Sequence, residues 1–180
     1  LIIFAGTAGS LIGTAMTFHH MSLMNSRGIG DTQATLILSL TAAVGVFSTI
    51  LTGHLLDKLP NRFILAAGQL TLMASMAWTF LIQDLWHAVV YGIFTGMTQG
   101  LIYTTMIVIF PNYFGRKHLG TIMGVATIGM VVSSGLGPLP FGALYEISNN
   151  YELAIISFLP LPALCAIAAL FAPPPKHKSD

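Results

Sequence analysis

Long apolar runs, cut by short polar joints, organise this chain. Charge-free stretches cover residues 1–23, 33–56, 63–83, 87–110, 119–144 and 153–171. Each is close to or beyond the roughly 20 residues that a helix needs to cross hydrocarbon. Closed barrels also satisfy backbone groups in lipid, but these runs are about twice too long for barrel strands and lack strict alternation. The pattern predicts an all-α, polytopic membrane protein: six transmembrane helices in one bundle over residues 1–172, then a short tail at 173–180.

The joints carry helix-boundary chemistry. Gly28 and Gly30 end the first span, Asp31 and Thr32 can cap the second, and Asn149 or Asn150 can cap the sixth, with Glu152 in its first turn. Pro138 and Pro140 predict a kink in the fifth span, and Pro160 and Pro162 another in the sixth. Pro173-Pro174-Pro175 cannot extend a helix and marks a membrane exit. Lys58, Arg62, Arg116, Lys117, Lys176 and Lys178 fall on one side and only Arg27 on the other. Because cytoplasmic joints retain basic residues, both ends of the segment are expected in the cytoplasm, across a plasma membrane. Trp86 and Tyr151 fit as interfacial anchors.

Composition sharpens this picture. The chain is 54% hydrophobic and 7% charged, against about 25% charged in an average soluble domain, so its main solvent is the lipid bilayer. A net charge of +1 and no long basic run exclude a nucleic-acid partner. Cys165 is the single cysteine, which excludes an internal disulfide and reads as a small core residue. No HExxH, paired intramembrane carboxylates, Gly-x-Ser-x-Gly or Walker-type loop occurs, so neither an enzyme nor a cofactor is expected. Leu1 opens inside an apolar run without a basic leader, and the chain is therefore expected to be a fragment.

Polar groups inside a membrane are expensive and are the default functional candidates. In the fourth span Thr95, Gln99 and Tyr103 recur at helical spacing on one face, with Met106. Gly92, Gly96 and Gly100 form the adjoining stripe, which lets another helix approach closely. His19 and His20 point about 100° apart on a helix and cannot clasp one metal. His20 lies beside the small face of Gly9 and Gly13, and either ring could carry a proton near neutral pH. Gln69, Thr127, Ser133 and Ser134 are weaker candidates, since such hydroxyls often bond their own helix.

The joint Gly53-His54-Leu55-Leu56-Asp57-Lys58-Leu59-Pro60-Asn61-Arg62 reads by residue type as a tight turn whose bases hold topology. Its glycine, aspartate and following bases also resemble the signature of the major facilitator superfamily between the second and third helices of each six-helix half. Asn112-Tyr113-Phe114-Gly115-Arg116-Lys117 with Gly120 and Gly124 resembles the joint between that family's tenth and eleventh helices. Gly135-Leu136-Gly137-Pro138-Leu139-Pro140-Phe141-Gly142 through Glu146 is similar to the end of the eleventh. Phe18-His19 resembles the seventh helix of monocarboxylate porters and oxalate/formate antiporters.

The resemblance implies the carboxy-terminal half of a secondary transporter, with a small-molecule solute bound against a missing amino-terminal half. It implies a conformational latch at Gly53, Asp57, Lys58 and Arg62, and helix packing at Gly120, Gly124, Gly137, Pro138 and Gly142. Solute contacts fall to Gln99, Thr95, Tyr103, His20 and His19. Residues 33–53 and 121–142 lack the basic residue that anion-carrying relatives place there. The alternative is a non-transporting sensor or scaffold on the same fold.

Overall fold

The computed structural model describes residues 2–115 and 119–172. Among the described residues every regular element is a helix: α1 (Ile2–Phe18), α2 (His20–Ser26), α3 (Asp31–Leu56), α4 (Asn61–Trp78) continued by a 3-10 turn (Thr79–Leu81), α5 (Leu85–Phe114), α6 (Leu119–Leu136), α7 (Pro138–Ser148), α8 (Glu152–Phe158) and α9 (Pro160–Leu170). Counting α1 with α2 as one bent span, up to six spans are long and apolar enough to cross a membrane. The first residue of the expected first span, Arg116 and Lys117 of the fourth joint, and the tail at 173–180 lie outside the described residues.

Proline explains two breaks. α6 stops at Leu136 and α7 starts at Pro138, and α8 stops at Phe158 before α9 starts at Pro160. Each proline lacks the amide hydrogen that would continue the ladder, and it opens the following segment as a first-turn residue. Pro111, by contrast, sits in the last turn of α5, which runs past the expected end at residue 110 to Phe114.

The first span bends by 59° between α1 and α2, where no proline stands. Its hinge residue His19 reaches out of the span: Nε2 donates to the Pro138 carbonyl oxygen at 3.1 Å, and Nδ1 accepts from the Tyr151 hydroxyl at 3.4 Å. Gly137 lies so close to α1 that a Cβ there would run into the carbonyl of Leu11. The bend is thus set by tertiary contacts, which local periodicity does not carry. Tyr151 is buried between Tyr145 and His19 and so is not an interfacial anchor, whereas Trp86 is exposed.

Helix starts differ from expectation in detail. Gly30, not Asp31, is the N-cap of α3. Asp31 sits inside the first turn, where its negative charge meets the positive helix end and accepts from Asn25 Nδ2 at 2.8 Å. Asn150 Oδ1 does accept the Glu152 amide at 3.0 Å, at the start of α8. Asp84 caps α5 through the His87 amide at 2.9 Å. That bond holds the Asp84 carboxyl below its ordinary value, so its stabilising contribution is complete above the usual carboxylate range and is lost as pH falls below it. An Asp84→Asn variant should therefore show a flatter stability profile on the acid side, read by thermal denaturation.

Packing centres on α1 and α5. The buried residues of α3, namely Ala34, Ile37, Thr41, Gly45, Ser48 and Thr52, recur every three or four positions and form one stripe. This stripe meets Gly92, Gly96 and Gly100 of α5. A Cβ at Gly96 would stand 2.6 Å from the Thr41 carbonyl oxygen, and one at Gly100 would stand 2.6 Å from the Ser48 carbonyl carbon. The close approach also lets Thr41 Oγ1 donate to the Gly92 carbonyl at 3.2 Å and Ser48 Oγ to the Met97 carbonyl at 3.0 Å. Gly6 and Gly9 of α1 face Met106 and Ile102 of α5, and the Gln69 side-chain amide of α4 donates to the Ala5 carbonyl. Cys165 is buried in α9.

Arg27 and Glu152 join the first and fifth joints at 3.3 Å, with the glutamate half exposed. Such a pair contributes little, so Arg27→Ala should change stability by less than about 1 kcal/mol, a difference measurable by chemical denaturation.

Candidate functional site

The apolar face of α5 turns polar near its middle. Thr95 and Gln99 lie between two adjoining cavities. One is lined by Gly9, Gly13, Thr17, Ser75, Thr95, Gln99 and Tyr103. The other, about 190 Å³, is lined by Thr17, His20, Thr41, Tyr91, Thr95 and Gln99. Helices α1 to α5 thus bring hydroxyl, amide and imidazole groups to one place.

These groups differ in how far they are engaged. Thr95 Oγ1 donates to its own helix at Tyr91 O, 2.9 Å away, and pairs with the Ser75 hydroxyl at 2.8 Å. Gln99 and Tyr103 make no side-chain hydrogen bond among the described residues, and both line the cavity. A carboxamide in a membrane helix with its donor and both lone pairs unspent is expensive unless a ligand or water completes it. Tyr103 is 45% exposed and stands one turn beyond Gln99.

The two histidines separate completely. His20 is buried, stacks on Tyr91 at 5.9 Å and donates from Nε2 to the Ala34 carbonyl at 3.0 Å. That bond puts the neutral ring's proton on Nε2 and leaves Nδ1 as an acceptor at the cavity wall. His19 points elsewhere, with both ring nitrogens engaged and its face on Phe141 at 6.4 Å. The structure therefore joins His20, and not His19, to Thr95 and Gln99. His19 joins Pro138, and the ring lies 3.7 Å from where a Cβ on Gly142 would be.

Other expected positions fall as follows. Gly120 and Gly124 meet no neighbour within 4 Å and do not pack against a helix among the described residues, because that face of α6 points away from α1. Ser133 bonds its own helix at Gly129 O, and Ser134 pairs with Thr14 at 2.7 Å. Asp57 is exposed at the C-terminal end of α3, and Arg62 lies in the first turn of α4 with its guanidinium 4.9 Å from the Phe63 ring centroid. Among the described residues the ion pairs are Arg27–Glu152 and Asp84–His87, and Asp57 takes part in neither. An anion at a helix C-terminus and a cation at an N-terminus both oppose the local dipole. The helix dipoles thus give neither charge a stabilising reason, and of the two Arg62 is compensated by the Phe63 ring.

Sequence reasoning missed Thr17, Ser75 and Thr41. Thr17 continues the series Gly9, Gly13 at four-residue spacing, a signal that was readable. Ser75 carried none, since its place depends on how α4 leans on α5. Among the described residues no three His, Cys, Asp or Glu stand close enough to hold a metal.

The family sequence pattern described as Major Facilitator Superfamily matches residues 1–180. The MFS-type transporter eupM of a Phoma species is 22% identical over 171 residues, covering 89% of this chain and 57% of that protein. The human glucose-6-phosphate exchanger SLC37A2 is 30% identical over 105 residues, 56% of this chain and 20% of that protein. The probable sulfoacetate transporter SauU of Cupriavidus necator is 27% identical over 168 residues, 84% of this chain and 37% of that protein. The chain thus spans 57% or less of the length of each of these relatives.

Proposed function

The chain belongs to the Major Facilitator Superfamily, and from that membership together with the cavity along α5 we propose that it is the carboxy-terminal half of a secondary transporter. The whole protein would move a small solute by alternating access, coupled to a proton or to exchange. The observation that carries this reading is the unspent Gln99 carboxamide facing a cavity inside a membrane-spanning helix. Relatives named as transporters and exchangers support a transporter rather than an enzyme.

The missing partner is an amino-terminal six-helix bundle, with the solute held between the two. The bareness of α6, which buries only Ala126 among the described residues, supports a surface kept for that partner. Within the family the chain reads as nearest to the monocarboxylate porter and oxalate/formate antiporter group, in a plasma membrane with both ends of the segment cytoplasmic. Residues 1–172 form the bundle, and 173–180 the cytoplasmic tail.

Gly53, Asp57, Lys58 and Arg62 act as a latch. The Asp57 carboxylate meets the positive end of the fifth span only when the cytoplasmic face is closed, and the unfavourable dipole positions of Asp57 and Arg62 support a role outside stability. Such a contact is worth about 1 kcal/mol, several-fold in population. Asp57→Asn in the complete protein should raise the labelling of cytoplasmic-side thiols several-fold, and unchanged labelling removes the latch. The reading as a whole is tested by uptake into liposomes bearing the full-length protein and an imposed pH gradient, across organic acids, sugars and drugs. No uptake of any of them, with a correctly folded protein, counts against transport.

A further inference from the structure

A second cleft adjoins the polar cavity along the same helix. Beyond Tyr103, α5 and α6 part around a space of about 140 Å³ lined by Met106, Ile107, Phe110, Met123, Ala126 and Met130, with Thr127 at its edge. Tyr103 belongs to both spaces. From Tyr91 to Phe110 the track runs along roughly 28 Å of helix axis. Its polar groups, His20, Thr95 and Gln99, are at the Leu85 end, and its methionines are at the Phe114 end. Neither compartment is lined by a lysine, arginine, aspartate or glutamate.

We propose that this half binds an amphipathic, uncharged solute, with a hydroxyl- or amide-bearing end against Gln99 and a ring or short alkyl end among Met106, Met123 and Met130. This rests on the reading of α5 as the wall of a solute cavity. The size of the second cleft is close to that at which an apolar cavity takes up benzene. Methionines from two helices supply an unbranched, polarizable lining that adapts to varied apolar shapes. A phosphate or sulfonate would find no lysine or arginine in the lining of either compartment and would lose its hydration against apolar walls. Tyr103, shared by the two linings, sets a polar and an apolar compartment side by side, an arrangement that suits a single molecule with two ends better than a lipid chain or a side chain of the other half.

The test uses matched probes on the full-length protein in nanodiscs: phenyl β-D-glucoside against glucose, acetanilide against acetamide, and glucose 6-phosphate as the anion. Equilibrium dialysis should give the phenyl compound of at least one pair about tenfold tighter binding than its parent, with glucose 6-phosphate no tighter than glucose. The double variant Met123→Ala, Met130→Ala should cut that preference by about two- to tenfold while leaving the parent's affinity in place. Equal binding within both pairs, no binding of either phenyl compound, or tighter binding of the phosphate overturns the proposal. A preference untouched by the methionine variant also overturns it, since the cleft would then hold a lipid chain or the other half. Uptake of glucose 6-phosphate without the phenyl glucoside would remove the amphipathic reading and leave transport standing. Binding of the phenyl glucoside with no uptake of any solute would remove transport instead.

Discussion

Gly96→Leu should be among the most damaging single substitutions in the bundle, lowering stability by roughly 3 kcal/mol or more and depressing the yield of folded protein. A bare Cβ there already stands 2.6 Å from the Thr41 carbonyl oxygen and 2.7 Å from Val44 Cβ, both on α3. Backbone on a packed helix cannot give way as a flexible side chain can, so leucine must push the helices apart. Overpacking of this kind costs about 1–3 kcal/mol for modest insertions and more for large ones. Separation would also break the bonds from Thr41 and Ser48 to the α5 carbonyls. Gly124→Leu is the control: nothing lies within 4 Å of it, so the same change should cost this half less than about 0.5 kcal/mol. Thermal denaturation in detergent, followed by gel filtration, distinguishes the two. Equal losses at both positions would contradict the α3–α5 contact.

Gln99→Ala should lower solute uptake, as kcat/KM, by about 10- to 100-fold while leaving thermal stability nearly unchanged. The carboxamide has no protein partner among the described residues, so its removal orphans nothing in the bundle. A polar solute that bonded it would lose about 1–3 kcal/mol. Thr95→Val is the informative contrast. Thr95 is already engaged by Ser75 and Tyr91, so its removal should cost stability at least as much as transport. An effect confined to KM would place Gln99 in ground-state binding, and one in kcat would place it at the moving step. Uptake unaffected by Gln99→Ala removes this residue from the solute's path.

How much of this was legible beforehand depended on the range of the interactions involved. The spans could be counted because crossing lipid is a property of each run on its own, and the breaks within the fifth and sixth spans were legible because proline acts on its own helix. The glycine stripe of α5 was visible as a pattern, yet its partner, the stripe from Ala34 to Thr52, was not. Alternatives such as Gly120 and Gly124 present the same residue types to open space. His19 and His20 could not be ranked from sequence, since the 59° bend that sends them apart arises from Pro138 and Tyr151, more than 100 residues away. Tyr151 failed as an interfacial anchor for the same reason. Gln99 was legible because an amide in a charge-free run is conspicuous. Ser75, a hydroxyl among many, was not.

Among the described residues every lysine, arginine, aspartate and glutamate falls in a joint or in a terminal turn, and none in the interior of a span. Displacing a unit charge through the membrane field is worth about 2.3 kcal/mol per 100 mV, so if the chain is one half of a transporter, as proposed, its described spans, with their histidines neutral, would carry no gating charge. On that proposal the rocking of this segment would be electrically silent, and any current or voltage dependence of the cycle would report the valence of the cargo, its coupling ion or the opposite bundle.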